Sequence, residues 1–221
     1  MYIMKVRILF LICFLSITCL LNAADKPVIQ IHTDNSSLIF RVADNGRLYQ
    51  SYLGKKLNHE ADISHLPQGT EAYITHGMED YFEPAIHILH NDGNPSLLLK
   101  YVSHETKAVS QGVNETIITL GDDKYPVTVK LHYVTYPAED IIKTYTEISH
   151  KEKKPVVLHQ YASSMLHLNR AKYYLTEFSG DWAHEANISD QPLEFGKKVL
   201  DTKLGARALS LIHISEPTRQ E

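Results

Sequence analysis

Three carboxylates crowd one short segment, Gly77-Met78-Glu79-Asp80-Tyr81-Phe82-Glu83-Pro84-Ala85, and a pair of carboxyl groups is the equipment that splits a glycosidic bond. That chemistry needs the two groups to face each other across the bond, about 5 Å apart for retention and roughly 6.5–9.5 Å for inversion. Neighbours along one segment meet this only by chance. Asp80 and Glu83, with Tyr81 and Phe82 between them, therefore read first as residues that solvate a loop or pair with lysine, and second as a sugar-contacting edge. The single tryptophan, Trp182, lies in Phe178-Ser179-Gly180-Asp181-Trp182-Ala183-His184-Glu185. An indole can stack on a sugar face, but a lone Trp in a β-protein is more often a core or interface anchor.

Other reactive residue types are plentiful without being arranged for chemistry. Among the 13 histidines, His87 and His90 are three apart in a strand-like stretch, which puts their rings on opposite faces, whereas a shared metal needs them to converge. The others are scattered and have no cysteine partners, so no metal site is expected. Ser163-Ser164 reads as a strand pair rather than a nucleophile, since there is no Gly-x-Ser-x-Gly. No glycine loop is built to cradle phosphate, and no cofactor is expected.

The elements that must position these residues follow from periodicity. Apolar residues recur at every second position, the mark of half-buried strands. Leu38, Phe40 and Val42 alternate with Ile39, Arg41 and Ala43; Asp44-Asn45-Gly46 then supplies a hairpin turn, and Leu48 onward resumes a strand. Asn91-Asp92-Gly93-Asn94 separates Ala85 to Leu89 from Leu97 to Val102. Thr116 to Leu120 passes through Gly121-Asp122-Asp123-Lys124 into Val127, Val129, Leu131 and Tyr133, with Thr128, Lys130 and His132 on the other face. Further strands are expected at Ile141 to Ile148, Val156 to Tyr161, Met165 to Leu168 and Tyr173 to Phe178. Glu60 to Thr75 reads as a loop excursion, and Lys151 to Pro155 as a charged turn. Many short strands without sustained helical periodicity predict an all-β chain folded as a large β-sandwich.

Composition supports a packed body. The chain has 221 residues, 43% hydrophobic and 22% charged, enough for one domain or two small ones. A net charge of -4 gives no concentrated positive face, which excludes a nucleic-acid reader. At the N-terminus, Lys5 and Arg7 precede the apolar run Ile8 to Leu21, and Asn22-Ala23-Ala24 follows. This has the form of a secretory signal peptide over residues 1–23, with cleavage after Ala23 or Ala24. The run falls short of the ~20 residues that span a bilayer, so no membrane span is expected after cleavage, and the chain is expected to be secreted, into the periplasm. Both cysteines, Cys13 and Cys19, fall in this leader, leaving a mature chain without disulfides. At the other end, Leu209 to Arg219 reads LSLIHISEPTR, which looks like an in-frame translation of a sequencing-library adapter. The expected body is 24–208, with residues 209–221 an adapter-derived tail.

Within that body, several segments resemble the N-terminal domain of glycoside hydrolase family 36, the bacterial α-galactosidases. Gly77 to Ala85 resembles the family's stretch of glycine, aspartate, an aromatic residue and Glu-Pro-Ala. Tyr81 and Phe82 stand where many members have phenylalanine and arginine, so a sugar contact made through that arginine does not carry over. Leu158 to Leu168 resembles a family strand pattern, Gly180-x-Trp182-x-x-Glu185 matches Gly-x-Trp-x-x-Glu, and Leu193 to Ala208, with Gly196, Gly205 and Arg207, resembles the approach to Gly-x-x-Ser. The resemblance implies a β-supersandwich of galactose-mutarotase shape. In whole members a (β/α)8 barrel follows, whose two aspartates hydrolyse terminal α-linked galactose with retention. Neither aspartate has a counterpart here, so no catalytic residue is assigned and the chain alone is expected to be inactive. The implied partners are the catalytic barrel of the same polypeptide, further copies in a homo-oligomer, and the α-galactoside substrate of the whole enzyme. Asp80, Tyr81, Phe82, Glu83 and Trp182 are the candidates for substrate or interface contact. A stand-alone carbohydrate-binding or mutarotase-like module, and a secreted structural or adhesive sandwich, remain the alternatives.

Overall fold

The computed structural model describes residues 26–78, 82–168, 173–181, 184–194 and 196–200. The chain divides into two compact units, Met1–His167 and Leu168–Glu221.

The first unit is an antiparallel β-sandwich. One sheet has the order β1-β2-β3-β4, from β1 (Val28–His32), β2 (Ser36–Val42), β3 (Leu48–Lys55) and the short β4 (Thr70–Glu71). The other is the meander β6-β7-β8-β9, from β6 (Leu99–Ser110), β7 (Val113–Asp122), β8 (Val127–Tyr136) and β9 (Ile141–His150). A two-stranded ribbon pairs β5 (Ile86–Leu89) with β10 (Val157–Tyr161).

Period-two alternation builds the core as the sequence implies. Val127, Val129, Leu131 and Tyr133 on β8 are all buried and share one cluster with Ile29, Ile31, Leu38 and Phe40 from the opposite sheet and Ile86 and Ile88 from the ribbon. The Phe40 and Tyr133 rings meet at 5.1 Å between centroids, joining the two sheets. The Asp44-Asn45-Gly46 turn forms as expected, with the Gly46 N–H donating to Ala43 O at 3.0 Å and Gly46 at a positive φ of 78° that glycine adopts without strain. The Tyr101 N–H then donates to Gly46 O at 2.9 Å, tying the β2–β3 turn to β6.

Three expectations change. Glu60 to Thr75 is not a plain loop: it holds α1 (Glu60–Ser64), then β4, then Ala72 to Thr75, which are fully buried. β2 is covered on both faces, since Ile39 and the α1 residue Ile63 are buried together with Leu38 and Phe40. The Arg41 guanidinium donates to the Ile63 carbonyl, fastening α1 down. Ser163-Ser164 and Met165 to Leu168 form no strand; they run as irregular chain. Gln50, 1% exposed, explains why: its Nε2 donates to His167 O at 2.7 Å, and the His167 N–H donates back to its Oε1 at 3.1 Å. A side chain thereby supplies the partners a neighbouring strand would have given.

The second unit contains the hairpin β11 (Tyr174–Asp181) and β12 (His184–Pro192), antiparallel from Tyr174↔Pro192 to Asp181↔His184 with a register shift near the tip. Gln191 Nε2 donates to Glu177 Oε1 across the ladder at 2.7 Å.

Candidate functional site

Of the five candidate contact residues, the described structure places two. Phe82 is 66% exposed. Glu83 is also exposed and accepts a hydrogen bond from Gln160 Nε2 at 3.2 Å, while the same amide donates to Pro84 O at 2.8 Å. Gln160 thus clips the Glu83-Pro84 backbone onto β10. Asp80, Tyr81 and Trp182, with Glu79, lie outside the described residues.

β10 itself is unusual. Val157, Leu158 and Tyr161 are 51%, 43% and 64% exposed, although consecutive strand residues point to opposite faces. A strand carrying large apolar side chains on both open faces is suited to burial on both sides. With Phe82 nearby in sequence to its partner β5, this ribbon presents an exposed apolar surface.

The histidines resolve into separate settings. His90 is buried, with Nδ1 2.7 Å from Glu152 Oε1, Nε2 3.1 Å from Ser96 O, and its ring stacked on Tyr125 at 3.5 Å. Glu152 is held below the usual carboxylate range by the His90 hydrogen bond and the Asn91 N–H, against the opposing pull of burial. His87 instead stacks on His76 at 3.8 Å between ring centroids, with the His159 ring tilted against it at 4.8 Å. The expectation that His87 and His90 do not share a site agrees with these different partners.

One polar cluster was not foreseen. On the face of the meander away from the core, Glu115 accepts from the Tyr145 hydroxyl at 2.7 Å and stands 2.9 Å from His132 Nδ1 and 2.9 Å from Lys107 Nζ. The His132 and Tyr145 rings stack at 4.3 Å, 12° from parallel. These donors, Tyr145 first and then His132 and Lys107, hold the Glu115 carboxyl down to about 2. A carboxylate so saturated stays ionised and cannot deliver a proton, so the cluster is suited to fastening β6, β7, β8 and β9 together rather than to acid catalysis. The only sequence signal was that Glu115, His132 and Tyr145 occupy the out-facing positions of their strands. Beside it a cavity of about 10 Å³ is lined by Tyr73, Tyr133, Tyr145, Ser163, Ser164 and Met165. That is room for about one water. Ser163 accepts from the Thr146 hydroxyl through its backbone carbonyl at 3.0 Å.

Comparison with known proteins places this architecture. The family model described as the glycosyl hydrolase family 36 N-terminal domain matches residues 46–214. A probable alpha-galactosidase G of Aspergillus terreus is 24% identical over 142 residues, 58% of this chain and 20% of that protein. Among solved structures, the galactosidase domain of alpha-galactosidase-sucrose kinase superposes with a TM-score of 0.69 at 22% identity, over 79% of this chain and 29% of the other. A family 36 alpha-galactosidase of Geobacillus stearothermophilus superposes with 0.69 at 19% identity, over 77% and 28%, and a variant of it was solved in complex with raffinose. The alpha-galactosidase of Lactobacillus brevis gives 0.66 at 20% identity, over 77% and 28%. The chain therefore spans about a fifth of the curated relative and under a third of each of these solved chains. Sandwich, motif order and family match agree, and the chain belongs to glycosyl hydrolase family 36 as its N-terminal domain.

Proposed function

We propose that this chain is the non-catalytic N-terminal sandwich of a secreted, periplasmic α-galactosidase whose catalytic barrel lies on further polypeptide. The whole enzyme would hydrolyse terminal α-linked galactose with retention, and this part would pack against the barrel and join subunit contacts in a homo-oligomer.

One observation carries the reading: a match to an N-terminal domain model combined with a span of only 20% to 29% of the α-galactosidases it resembles. The local chemistry is consistent with it. Glu115 is fixed as a carboxylate by three donors, and the adjoining cavity admits about one water, not a hexose. The exposed apolar residues Phe82, Val157, Leu158 and Tyr161 supply a surface of the kind that domain packing buries.

The test is an assay of the purified chain with raffinose. Absence of galactose release is expected. Release that follows the chain through purification, with contaminating hydrolases excluded, would overturn the reading.

A further inference from the structure

Among the described residues, the meander β6-β7-β8-β9 ends on each side in a strand with one neighbour. An unpaired strand edge is a template for another chain, and the two edges differ. β6 has the features that blunt an edge. Its register steps between Tyr101 and Ser103 and again between Ala108 and Ser110, and its Tyr101 N–H is taken by Gly46 O of the β2–β3 turn at 2.9 Å. β9 is regular. Its ten residues pair with β8 from Val127↔His150 to Tyr136↔Ile141 without a register shift, and none of them is proline or glycine.

Strand alternation sorts β9 into two rows. Ile141, Lys143, Tyr145, Glu147 and Ser149 are exposed, while Ile142, Thr144, Thr146 and Ile148 are half-buried, the two isoleucines against the core cluster. Outwards from Tyr145 the strand carries the same residue types in both directions, threonine at one step and isoleucine at three, with opposite charges at two steps.

That pattern is self-complementary. When two such strands run antiparallel about a two-fold axis at Tyr145, positions equally far from the axis face each other. Thr144 then meets Thr146 of the second copy, Lys143 meets Glu147, Ile142 meets Ile148, and Tyr145 meets its own counterpart. Threonine pairs, aromatic pairs and opposite charges are each favourable across a ladder. Moving the axis to Lys143 or Glu147 sets like charges opposite, and moving it to Thr144 or Thr146 pairs neither charge with its opposite. Both charged groups are accessible. Glu147 has a half-exposed side chain at 3.5 Å from Lys130 Nζ and 3.6 Å from His132 Nε2. Lys143 has no ion pair among the described residues, and its ammonium lies 5.9 Å from the centre of the Tyr145 ring.

We propose that β9 is the contact through which two copies of this chain join, antiparallel about a two-fold axis at Tyr145, so that two four-stranded meanders become one continuous sheet. The contact is the same on both copies, so each pairing other than that of Tyr145 with itself occurs twice. It gives a place to the subunit contact assigned above and rests on that part of the reading.

Sedimentation equilibrium of the exported chain, over a range of concentrations at low salt, tests this. A dimer is expected, and added salt should weaken it because its two ion pairs lie at an accessible edge. Lys143→Glu alone and Glu147→Lys alone each set like charges opposite twice, and each should weaken self-association at least about tenfold. Mixed in equal amounts, the two variants should associate with each other, since every acidic side chain of one then faces a lysine of the other. A defect confined to folding within one chain is not restored in this way. If a variant does not fold, amide exchange of the parent decides. The β9 amides that point away from β8 should gain protection between dilute and concentrated solution, with those of β6 unchanged. A chain that stays monomeric, or a β9 whose exchange ignores concentration, overturns the contact. A dimer that withstands both variants overturns it too, but leaves the homo-oligomer standing on another surface. None of these outcomes bears on the inactivity of the chain towards raffinose, which is measured separately.

Discussion

The Tyr145 hydroxyl on β9 donates to the Glu115 carboxylate on β7 at 2.7 Å, spanning the intervening strand β8. His132 of β8 lies between them, stacked on the Tyr145 ring and 2.9 Å from the same carboxylate. Three strands are thus joined by side chains on the face that the hydrophobic core does not reach.

Acid should loosen this joint. Glu115 is held at about 2 against an ordinary value of 4.5, so its stabilisation is complete above 4.5 and is lost as pH falls from there towards 2. Glu115→Gln should lower stability at neutral pH and flatten the acid limb, read from urea midpoints at a series of pH values. Tyr145→Phe should cost about 1.5 kcal/mol, the low end for a hydrogen bond to a charged group, because Tyr145 is 39% exposed. An acid limb of full steepness in Glu115→Gln would place the acid sensitivity elsewhere.

Gln50 should be needed for the chain after β10. Replacing it with leucine leaves the His167 N–H and carbonyl without the side-chain partners seen here, at about 1–3 kcal/mol for each group left unpaired. Loss of exchange protection at the His167 amide, with Ile118 unchanged, is the local signature to look for.

Phe40 links the two sheets through Tyr133 and is fully buried. Phe40→Ala should cost about 3–5 kcal/mol, a large part of the ~5–15 kcal/mol available to a typical domain. Denaturant unfolding measures this, and a loss below about 1 kcal/mol would mean that the space between the sheets refills.

The signal-peptide reading predicts a mature N-terminus. Intact mass of the protein exported from a bacterial host should correspond to a chain beginning at Ala24 or Asp25. Retention of residues 1–23 on the exported chain would contradict it.

The alternation of β8, the Asp44-Asn45-Gly46 hairpin and the sandwich class were legible because period two and turn chemistry act locally. The irregular course of Ser163 to Leu168 was not. Its partners come from Gln50, more than a hundred residues away in sequence, and nothing near Met165 announces them. α1 escaped notice because five residues, Glu60–Ser64, are too few to show a helical period. The histidine contacts were invisible for a related reason: spacing along β5 relates His87 to His90, whereas the register shift between Leu158 and Gln160 in β10 and the Thr75↔Ile86 bridge bring His87 to His159 and His76. Of the candidate site, exposure and the Glu83 to Gln160 contact are now placed, while Asp80, Tyr81 and Trp182 are known from the sequence alone.

The order β6-β7-β8-β9 in space is also the order in the chain, whereas β5 meets β10 only after that entire meander has been laid down. Short loop closures form before long ones, so during refolding the meander should gather first and the ribbon last. Pulse-labelled amides of Ile118 and Val129 would then become protected ahead of Ile86. The edge that carries Phe82 and Tyr161 would accordingly be the final part of the sandwich to mature, and for that interval the part most open to chaperones or to another nascent chain.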